Sequence, residues 1–129
     1  MKVYIASHSK EEALKVREIL LKENHESTAR WLNESFNKTD TYSDFDKGRI
    51  AAMDMHDVLR SDALILIAGL EKYTWGKFIE AGIAMGSGKK VIVLGRIENM
   101  LLWHPQVIQV EDVFNAMDIL KELEPLIND

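Results

Sequence analysis

Two carboxylates sit where helical spacing asks for apolar residues. Asp54 has Ile50 four residues before it and Val58 four after, so the three share one helical ridge. If that ridge faces the core, the carboxylate is held where ionisation is costly without a partner. If the ridge drifts, Asp54 lies at the edge of the stripe and bonds a backbone amide. Glu80 shares a ridge with Gly76 and Ala84, flanked by Ile79 and Ile83. Small residues on both sides of a long carboxylate leave room for something other than protein to approach it. The plainer alternative is a solvated glutamate near a helix start, favoured by the macrodipole. Two inward carboxylates on adjacent helices can act as nucleophile and as acid–base or orienting group, the pairing used in glycosidic bond cleavage.

Other candidates carry less. Ser7, His8, Ser9 and Lys10 follow the first apolar run, a place suited to a phosphate or a sugar hydroxyl. Ser9 with Glu12 three residues on is also a capping box, which accounts for Ser9 without a ligand. His8, His25, His56 and His104 form no ligand spacing, so no metal is expected. Tyr4, Trp31, Trp75 and Trp103 could stack on a base or simply fill the core. Gly86-Ser87-Gly88-Lys89 lacks the first glycine of a phosphate loop and follows a helix, which argues against that motif.

The elements that must position these residues alternate. Apolar runs at 3–6, 63–67, 90–94 and 107–110 read as buried strands, with a further strand expected over 26–32. Helical spacing is expected after Ser9 up to about Asn24, from Asp46 to Arg60, over 75–85 up to Gly86-Ser87-Gly88, and over 112–123. Residues 33–43 are polar and rich in turn formers, a loop long enough for a lid. The pattern predicts an α/β fold: a three-layer sandwich, flavodoxin- or Rossmann-like, with a mainly parallel five-stranded sheet in the order 2-1-3-4-5. Helix starts after parallel strands then point at the ligand crevice, which is where Glu80 falls.

Composition narrows the function classes. The chain has 129 residues, 47% hydrophobic content and a formal net charge of -5. That suits one domain over 1–129 and disfavours a protein that grips a nucleic acid polymer. Absence of cysteine removes disulfides and thiolate chemistry. The apolar run at the start is too short for a signal sequence and no stretch reaches membrane-spanning length, so a cytoplasmic protein with no membrane partner is expected.

The chain resembles the nucleoside 2-deoxyribosyltransferase family, which includes nucleoside 5'-monophosphate N-glycosidases. The resemblance rests on Lys2-Val3-Tyr4-Ile5-Ala6-Ser7, on Asp54 eight residues before Asp62, and on Gly76, Glu80, Gly82 and Ala84 followed by Gly88-Lys89-Lys90-Val91. It implies that Glu80 is a nucleophile attacking the anomeric C1' and that Asp54 assists the departing base or orients the sugar. It implies that Tyr4, Ala6 and Ser7 lie near base and sugar, with Gly69, Thr74, Gly76 and Asn99 completing the substrate contacts. Another base as acceptor gives transfer, and water gives hydrolysis. No cofactor is implied; the partners are a small nucleoside or nucleotide and further copies of the chain, with 99–103 a place where copies could meet. The chain departs from the pattern at Ala68-Gly69-Leu70, where many relatives have an acidic residue, and at Phe78, where the monophosphate-cleaving kind often has glycine. A non-catalytic nucleotide-sensing domain and a TIR-like NAD glycohydrolase are the competing readings.

Overall fold

A computed structural model describes residues 1–34, 42–69, 76–97 and 99–127 of the chain. Among them are β1 (Lys2–Ala6), α1 (Lys10–Lys22), β2 (Glu26–Ser27), α2 (Asp44–Leu59) and β3 (Ala63–Ile67). There follow α3 (Gly76–Gly86), β4 (Lys90–Leu94), β5 (Val107–Val110) and α4 (Val113–Ile127), with 3₁₀ turns at Arg30–Asn33 and Met100–Trp103. The strands form an all-parallel flavodoxin-like sheet in the order β2-β1-β3-β4-β5.

The sheet is parallel because its central strands are apolar on both faces and helices cover both. Leu64, Ile65 and Leu66 of β3 are fully buried, as are Val91, Ile92 and Val93 of β4. Burying each such side chain contributes about 1.5–3 kcal/mol, so the strand pattern alone commits the middle of the sheet to the core. Right-handed crossovers set α2 and α3 side by side on one face. A cleft lined by Glu23 beyond the end of α1 and by Phe114, Met117 and Asp118 of α4 marks the other.

Helix ends follow their local chemistry. Ser9 accepts from the Glu12 amide and caps α1, with Glu11 and Glu12 in its first turn. Ser43 accepts from the Asp46 amide and starts α2 at Asp44, earlier than the apolar spacing suggests. Asn24 takes a left-handed conformation (φ 62°) to close α1, and the His25 amide then reaches the Leu20 carbonyl at 2.9 Å.

Two expectations change. The strand predicted over 26–32 is paired only at Glu26 and Ser27. Beyond the Thr28 amide, which still reaches the Val3 carbonyl, the chain turns into the 3₁₀ segment, and the Arg30 amide goes to Asp57 Oδ2 at 3.0 Å. A long-range carboxylate thus takes the donor a strand would have used. The last helix runs on to Ile127, past Pro125, which sits in its final turn. The loop expected over 33–43, long enough for a lid, falls mostly on 35–41, outside the described residues.

Candidate active site

Tyr4 lies in the middle of β1, paired with Leu64 of β3, and is fully buried. Its side chain rises on the face that carries α2 and α3, and its hydroxyl donates to Glu80 Oε2. Glu80 stands on the second turn of α3, so residues 76 positions apart in sequence meet above the sheet. A buried hydroxyl and a half-buried carboxylate thus satisfy one another where either alone would be costly.

Asp54 faces this pair from α2. It is half-buried, and its Oδ1 is shut off from solvent with no hydrogen-bond partner. A buried acceptor without a donor carries a desolvation cost that a ligand hydroxyl or amine could relieve. The three groups hold one another's charges in check. Burial pushes the Glu80 carboxyl up to about 8; the Tyr4 hydroxyl works against the rise and the Asp54 charge adds to it. Burial, then Asp57, pushes Asp54 up to about 6, and Arg30 opposes. Tyr4 is driven well above the ordinary phenol range, first by burial and then by Glu80, so it stays a donor. Between about pH 6 and 8 the carboxylates therefore carry a single negative charge between them. One carboxylate with one carboxylic acid is the state that nucleophilic attack with protonation of a leaving group requires.

The remaining sequence candidates fall as follows. Ala6 is buried at the carboxyl end of β1. Ser7 is half-buried, donates to the Ser9 carbonyl and accepts from the Ser9 amide, both at 3.0 Å. Gly69 and Gly76 are exposed on either side of 70–75. Thr74 and Trp75 lie outside the described residues. Asn99 is exposed and caps the second 3₁₀ turn by accepting from the Leu101 amide at 3.0 Å. Phe78 lines an apolar groove with Gly82, Met85, Asn99, Leu101 and Leu102, on the side of α3 toward that turn. Among the described residues, no group of three or more His, Asp and Glu is placed to hold a metal ion, and no helix is long and apolar enough to cross a membrane.

The chain superimposes on a 2-deoxyribosyltransferase from Bacillus psychrosaccharolyticus with a TM-score of 0.74 and 20% identity, over 92% of this chain and 91% of that one. The chain shares its fold with that enzyme. A CMP N-glycosidase of Clostridium botulinum, BcmB, aligns over 94% of this chain and 98% of its own with a TM-score of 0.59 and 19% identity. A conserved protein from Enterococcus faecalis V583 aligns over 95% and 98%, at 0.69 and 17%. No family model matches the sequence, and no curated protein matches it. The likeness to the deoxyribosyltransferase is thus one of backbone path, at an identity where side-chain roles do not follow from alignment.

On this deoxyribosyltransferase-like scaffold the sequence did not point to Asp57 and Arg30, and it offered Trp31 only as an aromatic for a base or the core. Asp57 is fully buried and binds Arg30 through backbone and side chain. The Trp31 indole N–H donates to the Ile5 carbonyl at 3.0 Å, next to Tyr4. A cue was present in the last acid of α2, Asp57, which follows Asp54 by three residues and has an arginine three residues on at Arg60. Helical spacing sets Asp57 on the same side as Ile50 and Met53, but spacing alone does not name the arginine that makes its burial tolerable.

Proposed function

We propose that the chain is an enzyme that cleaves the N-glycosidic bond of (2'-deoxy)nucleosides or nucleotides and passes the (deoxy)ribosyl group to another base. The observation that carries this reading is the Tyr4–Glu80 hydrogen bond, with Asp54 close enough for its charge to reach both groups. Oε2 of Glu80 is oriented by the Tyr4 hydroxyl. Between about pH 6 and 8 the shared proton rests mainly on Glu80, and attack proceeds from the minor form in which that proton has passed to Asp54 and Glu80 is ionised. A carboxylate oxygen of Glu80 attacks C1', the C1'–N bond breaks, and its electron pair leaves with the base, which takes the proton from Asp54. A nitrogen of a second base then attacks C1' and expels Glu80, with Asp54 taking the proton back. Water as acceptor gives the free sugar instead.

Likeness to BcmB supports that hydrolytic branch as a second reading, in which the chain acts as a nucleoside 5'-monophosphate N-glycosidase. Residues 1–129 act as one cytoplasmic domain that needs no cofactor. Copies associate through the α3 side: Ile79, Met100, Leu101 and Trp103 are exposed there, beside the groove under Phe78 and Gly82.

Incubation with a deoxynucleoside and a second base, followed by chromatography, tests the reading. Exchanged nucleoside identifies transfer, and free base with sugar identifies hydrolysis. Glu80→Ala should remove both. Release of neither product from purine and pyrimidine substrates would overturn the proposal. In that case, stabilisation by nucleotides without turnover identifies a sensor, and nicotinamide released from NAD identifies a glycohydrolase of the TIR kind.

A further inference from the structure

Three residues after Asp54, on the same stretch of α2, stands a second acid whose surroundings differ completely. Asp57 is fully buried, yet every approach to its carboxylate is filled. Oδ2 accepts from the Arg30 amide at 3.0 Å and from Arg30 Nε at 3.2 Å. Oδ1 accepts from Arg30 Nε at 2.9 Å, pairs with a terminal guanidinium nitrogen of Arg30 at 2.9 Å, and meets Arg60 Nε at 3.3 Å. The backbone joins in: the Thr28 hydroxyl donates to the Asp57 carbonyl at 2.9 Å, and Arg60 donates to the Thr28 carbonyl at 3.0 Å. A buried carboxylate gripped this way costs little only because each lone pair is met, and removal of one partner leaves the other stranded.

This clamp does more than close a helix end. The Arg30 that holds Asp57 begins the turn that carries Trp31, and Trp31 is fastened to Ile5, beside Tyr4. Hydrogen bonds from Arg30 to Asp57, from Trp31 to Ile5 and from Tyr4 to Glu80, joined by the backbone between neighbouring residues, therefore link the turn of α2 that bears Asp54 to the strand whose Tyr4 holds Glu80. We propose that Asp57, held by Arg30, is a positioning residue for Asp54: it fixes the helical turn on which that carboxylate stands, and with Arg30 it supplies opposed charges that set when Asp54 holds a proton. The catalytic part of this proposal rests on the N-glycosidic reading above, whereas the control of Asp54 does not.

The groups coupled to Asp54 are Asp57 on its own helix, Arg30 from the 3₁₀ turn, Glu80 from α3, and the Tyr4 hydroxyl from β1. Asp57 raises the proton affinity of Asp54 and Arg30 lowers it. Asp57 itself resists protonation. Burial works against its charge, but hydrogen bonds from Arg30 and Arg60 hold its carboxyl below the ordinary range. It therefore remains a fixed negative charge while Asp54 titrates.

Opposite responses to two substitutions test this. The carboxyl resonance of Asp54, assigned by its loss in Asp54→Asn, is followed by ¹³C NMR against pH in the full chain. Asp57→Asn should lower its midpoint and Arg30→Met should raise it, each by about half a pH unit or more, as expected for a unit charge nearby in a partly screened site. A merely structural loosening would move both midpoints the same way, toward the ordinary carboxyl value. Midpoints that move together, or do not move, overturn the proposal. If Asp57→Asn fails to fold, Arg30→Met carries the test alone, since that side chain is about half exposed (49%): a raised midpoint supports the proposal and any other result overturns it. With turnover of a deoxynucleoside and a second base in hand, the acid limb of the rate profile should follow the same two shifts. Absent turnover in the unsubstituted chain sinks the N-glycosidic reading while the NMR midpoints still decide the role of Asp57.

Discussion

Replacing Glu80 by glutamine should make the protein more stable, by an amount that grows with pH. In the folded chain the Glu80 carboxyl is raised from 4.5 to about 8, chiefly by burial. The native state thus keeps a proton that the unfolded chain gives up near its ordinary value. Stability is full below that value and is lost as pH rises toward the folded one. Ionising the buried group completely costs roughly 5 kcal/mol, and at pH 7 the loss is about 3 kcal/mol. A glutamine side chain carries no ionisable proton, and its amide oxygen can still accept from the Tyr4 hydroxyl, so Glu80→Gln removes the penalty and keeps the bond. Circular dichroism melting of both forms from pH 4 to pH 9 reads the effect. The two Tm values should coincide near pH 4 and diverge by on the order of 10 °C at pH 7 and above. Parallel curves, or a variant that melts lower at pH 8, would show that Glu80 is not held under this electrostatic load. The physical basis of the proposed nucleophile would then be gone.

Three further outcomes are expected. Turnover should trace a bell against pH with limbs near 6 and 8, read from initial rates of base exchange, because only the singly protonated carboxylate pair is competent. Gly95→Ala should destabilise by about 2 kcal/mol or more by urea denaturation, since residue 95 has φ +104° and an added Cβ would lie 2.8 Å from the Ala68 Cβ. Ser9→Ala should cost about 1 kcal/mol in the same assay, through loss of the cap on α1.

The buried strands were legible because an unbroken apolar run such as 63–67 fits only a strand covered on both faces, and alternation with helices leaves few right-handed windings. Glu80 was legible as an acid among small residues at a helix start. Its hydrogen bond to Tyr4 was not, because no spacing rule joins positions 76 residues apart. The second strand was overestimated for the same kind of reason: residues 28–32 have a strand-like composition, but Asp57, 27 positions on, claims the Arg30 amide. Asp54 lies on the apolar ridge as its spacing suggested, while the open acceptor at Oδ1 emerged only once its surroundings were assembled.

The two-residue β2 bears on whether a further strand can add to this sheet. A sheet grows when a foreign strand finds a row of free amides and carbonyls along its rim. The β2 rim is only two residues long, and the Arg30 amide just beyond it is already engaged. At the opposite rim β5 is four residues long, with the Gln109 side-chain amide tied to the Leu102 carbonyl of the neighbouring 3₁₀ turn. Strand-by-strand polymerisation is therefore obstructed at the β2 side by the same carboxylate that steadies α2, and any lateral addition of chains falls to the β5 side.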